Sequence, residues 1–393
     1  MKRFLVVALS LVPAVHAQLA IRGETVHTVT GQAIRDGVVL VRSGKIERVG
    51  TASQVSIPDG YRTLTAKVVT PGLIDSHTVV GLSGLLNQAH DQDQLDRAAA
   101  IQPELRAMDA YDPREKLVEF VRNMGITTIH TGHAPGALIS GQTMVVKTRG
   151  TNVEQASVVP EAMVAATLGT GSRAEQGKSP GTRAKAIAML RGELIKAREY
   201  AGKKEKTRDL RMEVLVRVLQ GDLPLLVTVH RAHDILTAIR MGKEFDLKLV
   251  LDGVAEAHQV LEEIKASGYS VIVHPTMYRA GGETENLSFE NAMLLRKAGI
   301  PFALQSGFEA YVPKTRIVLF EAALAASHGL GFENALASVT IDAARLLGID
   351  KRVGSLETGK DADLALFDGD PFEYVSHCIG VVIDGEVVSE ARQ

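Results

Sequence analysis

Apolar and polar positions change rhythm twice along this chain. From Leu19 to Val69 the runs are short, rich in Val, Ile and Thr, and cut by turns such as Arg35-Asp36-Gly37 and Ser43-Gly44-Lys45. That is the pattern of strands, here over Leu19–Thr28, Gly37–Val49 and Tyr61–Val69, with a hairpin in GVVLVRSGKIERVG. From Pro71 onward, short apolar runs alternate with helical patterns. The runs Gly125–Thr131, Leu223–His230, Leu247–Asp252, Ser270–His274 and Pro301–Ser306 read as strands. The segments Pro113–Met124, Ala232–Glu244, Ala255–Ala266 and Ser288–Ala298 read as helices between them. Such alternation predicts a parallel sheet wrapped by helices. The stretch 71–349 has about the length of a (β/α)₈ barrel. After Leu347 the β rhythm returns, and no barrel position is left for it. Its natural partner is the N-terminal β region. The expected organisation is an α/β chain, a (β/α)₈ TIM barrel over 71–349 with a small composite β-sandwich from 18–70 plus 350–393.

Three other segments refine this outline. Arg183–Gln220 reads as two helices joined by the charged turn Gly202-Lys203-Lys204-Glu205-Lys206, a solvated pair. HAPGALISGQT, residues 133–143, is Gly-rich and follows a strand, so it reads as a loop, lying over a substrate or simply at the surface. The first residues, MKRFLVVALSLVPAVHAQ, pair Lys2 and Arg3 with an apolar stretch too short to span a bilayer well. They read as a signal peptide, residues 1–17, cleaved after Ala17.

Composition narrows the function classes. The chain has 393 residues, 23% of them charged, and a formal net charge of −2, which argues against nucleic acid as a partner. Aromatics make up only 4% and tryptophan is absent, so a base- or sugar-stacking surface is not expected. The single cysteine, Cys378, permits no intrachain disulfide. Export without disulfides fits a bacterial periplasm, with secretion the alternative, and no membrane association of the mature chain. A GxSxG elbow and a Gly-Lys-Ser/Thr phosphate loop are both lacking.

The motifs carry a more specific signal. TPGLIDSH at 70–77, TIDAARLLGI at 340–349 and VGSLETGKDADLALFDGDP at 353–371 resemble the amidohydrolase superfamily, nearest to its imidazolonepropionase-like and prolidase-like members. The resemblance covers about 19–393. It implies a metal-dependent hydrolase of C–N bonds in cyclic amides, imides or dipeptide-like compounds. In that family a metal is held by two histidines on the first strand, often a carboxylated lysine on the fourth, a histidine each on the fifth and sixth, and an aspartate on the eighth. A divalent ion such as zinc so held lowers the pKa of a bound water to ~7.

Position by position, most of that set is missing here. His77 matches the first histidine, and Val79 stands at the second. Thr228 falls on the fifth-strand position, Asp252-Gly253-Val254 on the sixth-strand Glu-His-Gly, and Gly307 on the eighth-strand aspartate. Lys147 is the nearest candidate for the bridging lysine. Histidines at other expected strand ends could rebuild a centre: His77 with His130 and His133 as metal ligands, and His230, Arg231 and His274 as contacts to a small amide-type ligand at the barrel mouth. Two functions follow as expectations. One is an exported C–N hydrolase with a reduced or rearranged zinc site. The other is an inactive relative that binds a ligand or serves as the partner subunit of an active paralogue, in a homo- or hetero-oligomer.

Overall fold

The computed structural model describes residues 18–85, 88–174, 178–274, 280–308 and 317–390. The expected signal peptide, 1–17, lies outside the described residues.

The N-terminal strands are β1 (Leu19–Val26), β2 (Ile34–Arg42), β3 (Lys45–Thr51) and β4 (Arg62–Pro71). The next strands, in order, are β5 (Leu73–Thr78), β6 (Ile126–Thr131), β7 (Ile139–Gln142), β8 (Met144–Lys147), β9 (Ser157–Val159) and β10 (Val164–Thr167). Then come β11 (Leu225–Val229), β12 (Leu249–Gly253), β13 (Ser270–Val273) and β14 (Phe302–Leu304). The chain closes with β15 (Leu364–Phe367), β16 (Cys378–Ile383) and β17 (Glu386–Glu390).

Both ends of the chain build one seven-stranded sheet, in the order β17-β16-β15-β4-β1-β2-β3. Alternation along β1 and β2 gives it two buried faces. Leu19, Ile21, Val39 and Val41 pack on one, and Ala20, Val38 and Leu40 on the other.

The middle of the chain closes into a barrel. Strands β10, β11, β12, β13 and β14 run parallel in that order, and β5 pairs parallel with β6. The seam between β14 and β5 is held by the Thr78–Gly307 bridge, where Gly307 N–H donates to the His77 carbonyl at 3.0 Å. The opposite side departs from strict alternation. β7 and β8 form one nearly continuous stretch around Thr143. It pairs antiparallel with β6 on one side and with β9 and β10 on the other. One wall of the eight is therefore inverted, and the segment expected as a loop at 133–143 supplies half of it.

Helices cover the outside where strand–helix alternation was expected: Lys116–Asn123, Ala232–Phe245, Leu261–Ser267 and Asn291–Ala298. The expected pair is there too, Arg183–Gly202 and Leu210–Leu219. The helix expected from Ala255 begins only at Leu261, after a tight turn at Ala257–Gln259. Among the described residues, no helix is long and apolar enough to cross a membrane.

The barrel interior explains where chemistry can sit. Ile74, Val145, Met163, Leu226, Val250, Ile272 and Ala303 form a buried apolar layer, sealed by Ala343, Ala344, Leu347, Ile349 and Val353. Two residues further along four strands, the same inward face carries Thr228, Asp252, His274 and Gln305. An apolar floor thus supports a polar layer at the C-terminal ends of the parallel strands, the end where barrel proteins place their sites.

Candidate active site

Asp252 is the centre of the polar layer. It is 2% exposed. Burying a lone carboxylate is costly unless its oxygens are paired. Here Oδ2 accepts from Thr228 Oγ1 at 2.5 Å and lies 3.2 Å from His77 Nδ1, while Oδ1 accepts from Gln305 Nε2 at 2.7 Å. Burial raises the pKa of Asp252, but His77, Thr228 and Gln305 together outweigh it and hold the carboxyl below its usual range. His77 is the reciprocal case. Burial disfavours its imidazolium, yet Asp252, and to a lesser degree Asp75 and the His133 main chain, raise its pKa above the ordinary value.

His77 reaches this position through a local irregularity. The β5–β6 register slips between Asp75 and Thr78, so strict alternation stops just before the histidine. Asp75, one of the groups around the slip, accepts from Ser306 N–H at 3.0 Å and His77 N–H at 3.3 Å. Burial pushes its carboxyl up to about 7, against those two bonds.

The side chains around the pair enclose a cavity of about 30 Å³, lined by His77, Val79, Thr228, His230, Asp252 and Gln305 among others. That is room for a water molecule. Both ring nitrogens of His77 and Nδ1 of His230 are buried and fall short of good hydrogen-bond geometry, although the His133 main chain lies close enough to the His77 ring to raise its pKa. Burial lowers the pKa of His230, more than Asp252 and Glu283 raise it. Gly253, at φ +85°, makes the close approach of His230 possible. A Cβ there would lie 2.6 Å from the imidazole Cε1. The residue after it, Val254, is β-branched and sits at φ +45°. Such backbone strain in a branched residue is uncommon and concentrates at working sites.

The other expected site residues lie elsewhere. His130 is fully buried behind His77 with both nitrogens engaged, Nδ1 2.6 Å from the Ser76 carbonyl and Nε2 2.6 Å from Thr143 Oγ1. Burial and the neighbouring His77 push its pKa down to about 3. His133 packs against Gly141, where a Cβ would come within 2.4 Å of its Nε2, and burial lowers it to about 4. The metal group expected from His77, His130 and His133 is therefore not assembled. Among the described residues, no group of three or more His, Cys, Asp or Glu side chains is arranged to hold a metal ion. Asn291 Nδ2 donates to His274 Nε2 at 3.2 Å, so His274 acts as a brace beneath the mouth. Arg231 is engaged by Glu285 at 2.6 Å and the Gly282 carbonyl at 3.0 Å, away from the cavity.

Lys147 is far from any bridging position. Because β8 runs antiparallel, its last residue emerges level with Thr128, near the start of β6. There the Lys147 ammonium meets Asp361, Asp363 and Asp384 of the terminal sheet. The GKDADL motif is thus a structural tie in this chain.

Whether the residues present fit the metal centre implied by the resemblance can be tested on donor chemistry. Val79 brings a hydrocarbon into the cavity and Gly307 brings no side chain. Asp252 already has both oxygens occupied by protein donors, one of them the Gln305 amide. The set does not fit a multi-ligand metal centre.

A barrel with its polar layer at the strand ends, backed by a sheet from both chain termini, is an α/β barrel of the kind that places its sites at the C-terminal strand ends. The model of the amidohydrolase family matches residues 306–388. An imidazolonepropionase from Rhizorhabdus wittichii is 26% identical over 85% of this chain and 88% of its own length. Amidohydrolase tasK from Hapsidospora irregularis is 23% identical over 89% of the chain, which spans only 39% of that larger protein. The crystal structure of an amidohydrolase from Thermotoga maritima MSB8 superposes with a TM-score of 0.89 at 29% identity, covering 95% of this chain and 100% of that one. The chain is thus similar over most of its length to amidohydrolases, and it shares their fold.

Sequence reasoning found His77 and His230 but missed Asp252 and Gln305. The signal was present. Both lie two residues beyond an inward apolar residue, in the same phase as Thr228.

Proposed function

We propose that the protein hydrolyses a C–N bond of a small amide-type substrate, with the His77–Asp252 pair as its reaction centre. The observation that carries this reading is the state of His77. Nδ1 faces a buried carboxylate, Nε2 has no side-chain partner, and the residue lines a water-sized cavity. In that pose Asp252 fixes the ring and favours its protonated form, and neutral His77 can take a proton from a water at Nε2. Since the His77 pKa is raised, the basic form gains with increasing pH, and the rate should climb on the alkaline side of 6.5. The assay is hydrolysis of a panel of cyclic amides and dipeptides by the purified chain, with and without a chelator. Turnover that survives chelation and disappears in His77→Ala supports the reading. Turnover that vanishes on chelation and returns with added zinc sinks it.

A second reading, an inactive partner subunit of an active paralogue, is favoured by one observation: Asp252 is already saturated with protein donors. No turnover on any substrate, together with co-purification of a paralogue, would select it. Export to the periplasm belongs to the same proposal. N-terminal sequencing of the mature protein tests it, and a start at Gln18 is expected.

A further inference from the structure

Glu283 belongs to a tight turn, Gly282–Thr284, between β13 and the helix Asn291–Ala298. Its carboxylate is seated in a different loop, the one that follows β10. Oε1 accepts from the Thr170 N–H at 2.6 Å and from Arg183 Nη2 at 2.9 Å, and Oε2 accepts from the Gly171 N–H at 3.4 Å. Successive backbone N–H groups and a guanidinium are donors suited to a carboxylate. Gly169 shapes the floor of the seat. It sits at φ +77°, and a Cβ there would lie 2.5 Å from Glu283 Oε1. The guanidinium is also held without Glu283, because Arg183 Nε donates to both oxygens of Asp234, at 2.9 and 3.0 Å. Residues outside the turn that supplies the carboxylate therefore build the place that receives it.

The seat is reachable and borders the reaction cavity. Thr170, Arg183 and Glu283 line a surface cleft, and the Arg183 side chain is 32% exposed. Leu168 N–H donates to the main-chain carbonyl of Thr228 at 3.0 Å, and Thr228 lines the cavity beside His77. Glu283 is also near enough to His230, on the same cavity, to raise its pKa against burial. We propose that this seat binds the carboxylate of a small amide-type ligand, and that Glu283 fills it only until the ligand arrives. One carboxylate replaces another, so the charge balance around Arg183 and Asp234 stays as it is. Assigning that carboxylate to the substrate rests on the reaction proposed for His77; the binding itself does not.

Isothermal titration of the full chain with N-acetylglycine, and with N-acetylglycinamide as its uncharged counterpart, tests this. An internal carboxylate that fills the seat about nine-tenths of the time weakens binding about tenfold. Glu283→Ala should therefore bind N-acetylglycine at least about tenfold more tightly than the unaltered chain. Saturation of Glu283→Ala by the acid is expected below about 10 mM, and none by the amide. Adding Arg183→Lys to Glu283→Ala, which keeps a cation and removes the fork, should weaken binding again. The proposal is overturned if Glu283→Ala does not saturate with the acid, or if it binds acid and amide alike. An affinity equal to that of the unaltered chain, or unchanged by Arg183→Lys, overturns it as well. Turnover is not read in any of these titrations, so failure of the reaction assigned to His77 would leave them unaltered.

Discussion

Two clusters of buried charge sit at different levels of the same barrel and neutralise themselves in opposite ways. At the mouth, one carboxylate, Asp252, is surrounded by an imidazole, a hydroxyl and an amide. Near the starts of the strands, one ammonium, Lys147, is surrounded by Asp361, Asp363 and Asp384. The lower cluster is completed from outside, because Lys45 and Arg352 also reach Asp361. Its Asp361 is held down to about 2, with Lys147, Lys45 and Arg352 outweighing burial. Its Asp363 is pushed up to about 6, where burial prevails over Lys147. The mouth cluster keeps one nitrogen, His77 Nε2, without a side-chain partner, on a residue that lines a cavity. The difference separates a tie, whose polar atoms are turned on one another, from a site, which leaves one atom for something else.

That contrast can be broken from either side. The largest effect is expected at the tie. Lys147→Met would leave buried Asp363 without a cation, while Asp361 keeps Lys45 and Arg352 and Asp384 keeps Arg149, in a region where the lysine side chain is 3% exposed. Loss of one partner of a buried ion pair costs about 3–5 kcal/mol. Urea unfolding measures it, and a change under about 1 kcal/mol would contradict the tie. At the mouth, the effect should fall on chemistry. Asp252→Asn keeps the shape and removes the charge, so the His77 pKa should drop on NMR titration. Turnover, once a substrate is found, should fall by about 10²–10⁴-fold, the range for acid–base catalysis.

Stability against pH sharpens the comparison further. The folded pKa of His77 is raised, so its contribution is fully present below 6.5 and is lost as pH climbs through the raised value. The folded pKa of Asp361 is depressed from 3.8 to about 2, so its contribution is fully present above 3.8 and is lost as pH falls toward 2. That interval is worth roughly 2 kcal/mol. The tie should therefore fail on the acid side and the mouth on the alkaline side. His77→Gln should flatten only the alkaline limb of the unfolding profile, and Asp361→Asn only the acid one.

At pH 4 the smallest effect is expected at Asp75. Burial raises its carboxyl from 3.8 to about 7, which means that ionisation in the folded state costs stability as pH rises over that interval. Asp75→Asn can still accept the Ser306 and His77 N–H groups. It should change stability by no more than about 1 kcal/mol at pH 4. It should also remove the decline between pH 4 and 7, which urea midpoints at several pH values would reveal.

Much of the fold was legible in the sequence because period and punctuation are local properties. The strands β1 to β6 and β11 to β14 fall within a few residues of their apolar runs, and the two terminal β regions do share one sheet. Direction is not local. Met144-Val145-Val146 looks the same pointing up or down the barrel, and nothing in the run itself reports that it is inverted. The clue was what lies upstream. Between Thr131 and Ile139 there is no helical pattern, and a parallel crossover needs a dozen or more residues, usually with a helix. Without that inference, Lys147 looked like a mouth residue, although its strand delivers it to the terminal sheet.

The site was half legible for a similar reason. His77 stood out because it sits in a motif, while Asp252 looked like the wrong residue beside a missing histidine. Its role depends on a partner 175 positions away in the chain, brought within 3.2 Å by barrel closure. Gly253 shows the same limit. Read alone, it is a lost ligand. In three dimensions it is the open space over which His230 lies.

The inverted wall also bears on the order in which the chain folds. Contacts between β6 and β8, and between β7 and β10, join residues close in sequence, whereas each parallel pairing must wait for a crossover to close. Near contacts lose less chain entropy on forming, so residues 126–167 are suited to act as an early folding nucleus inside an otherwise slow parallel topology. Pulsed hydrogen exchange during refolding should find the amides of Val145 and Ala165 protected before those of Leu251 and Ile272. The reverse order would show that the meander is added to a barrel already begun elsewhere.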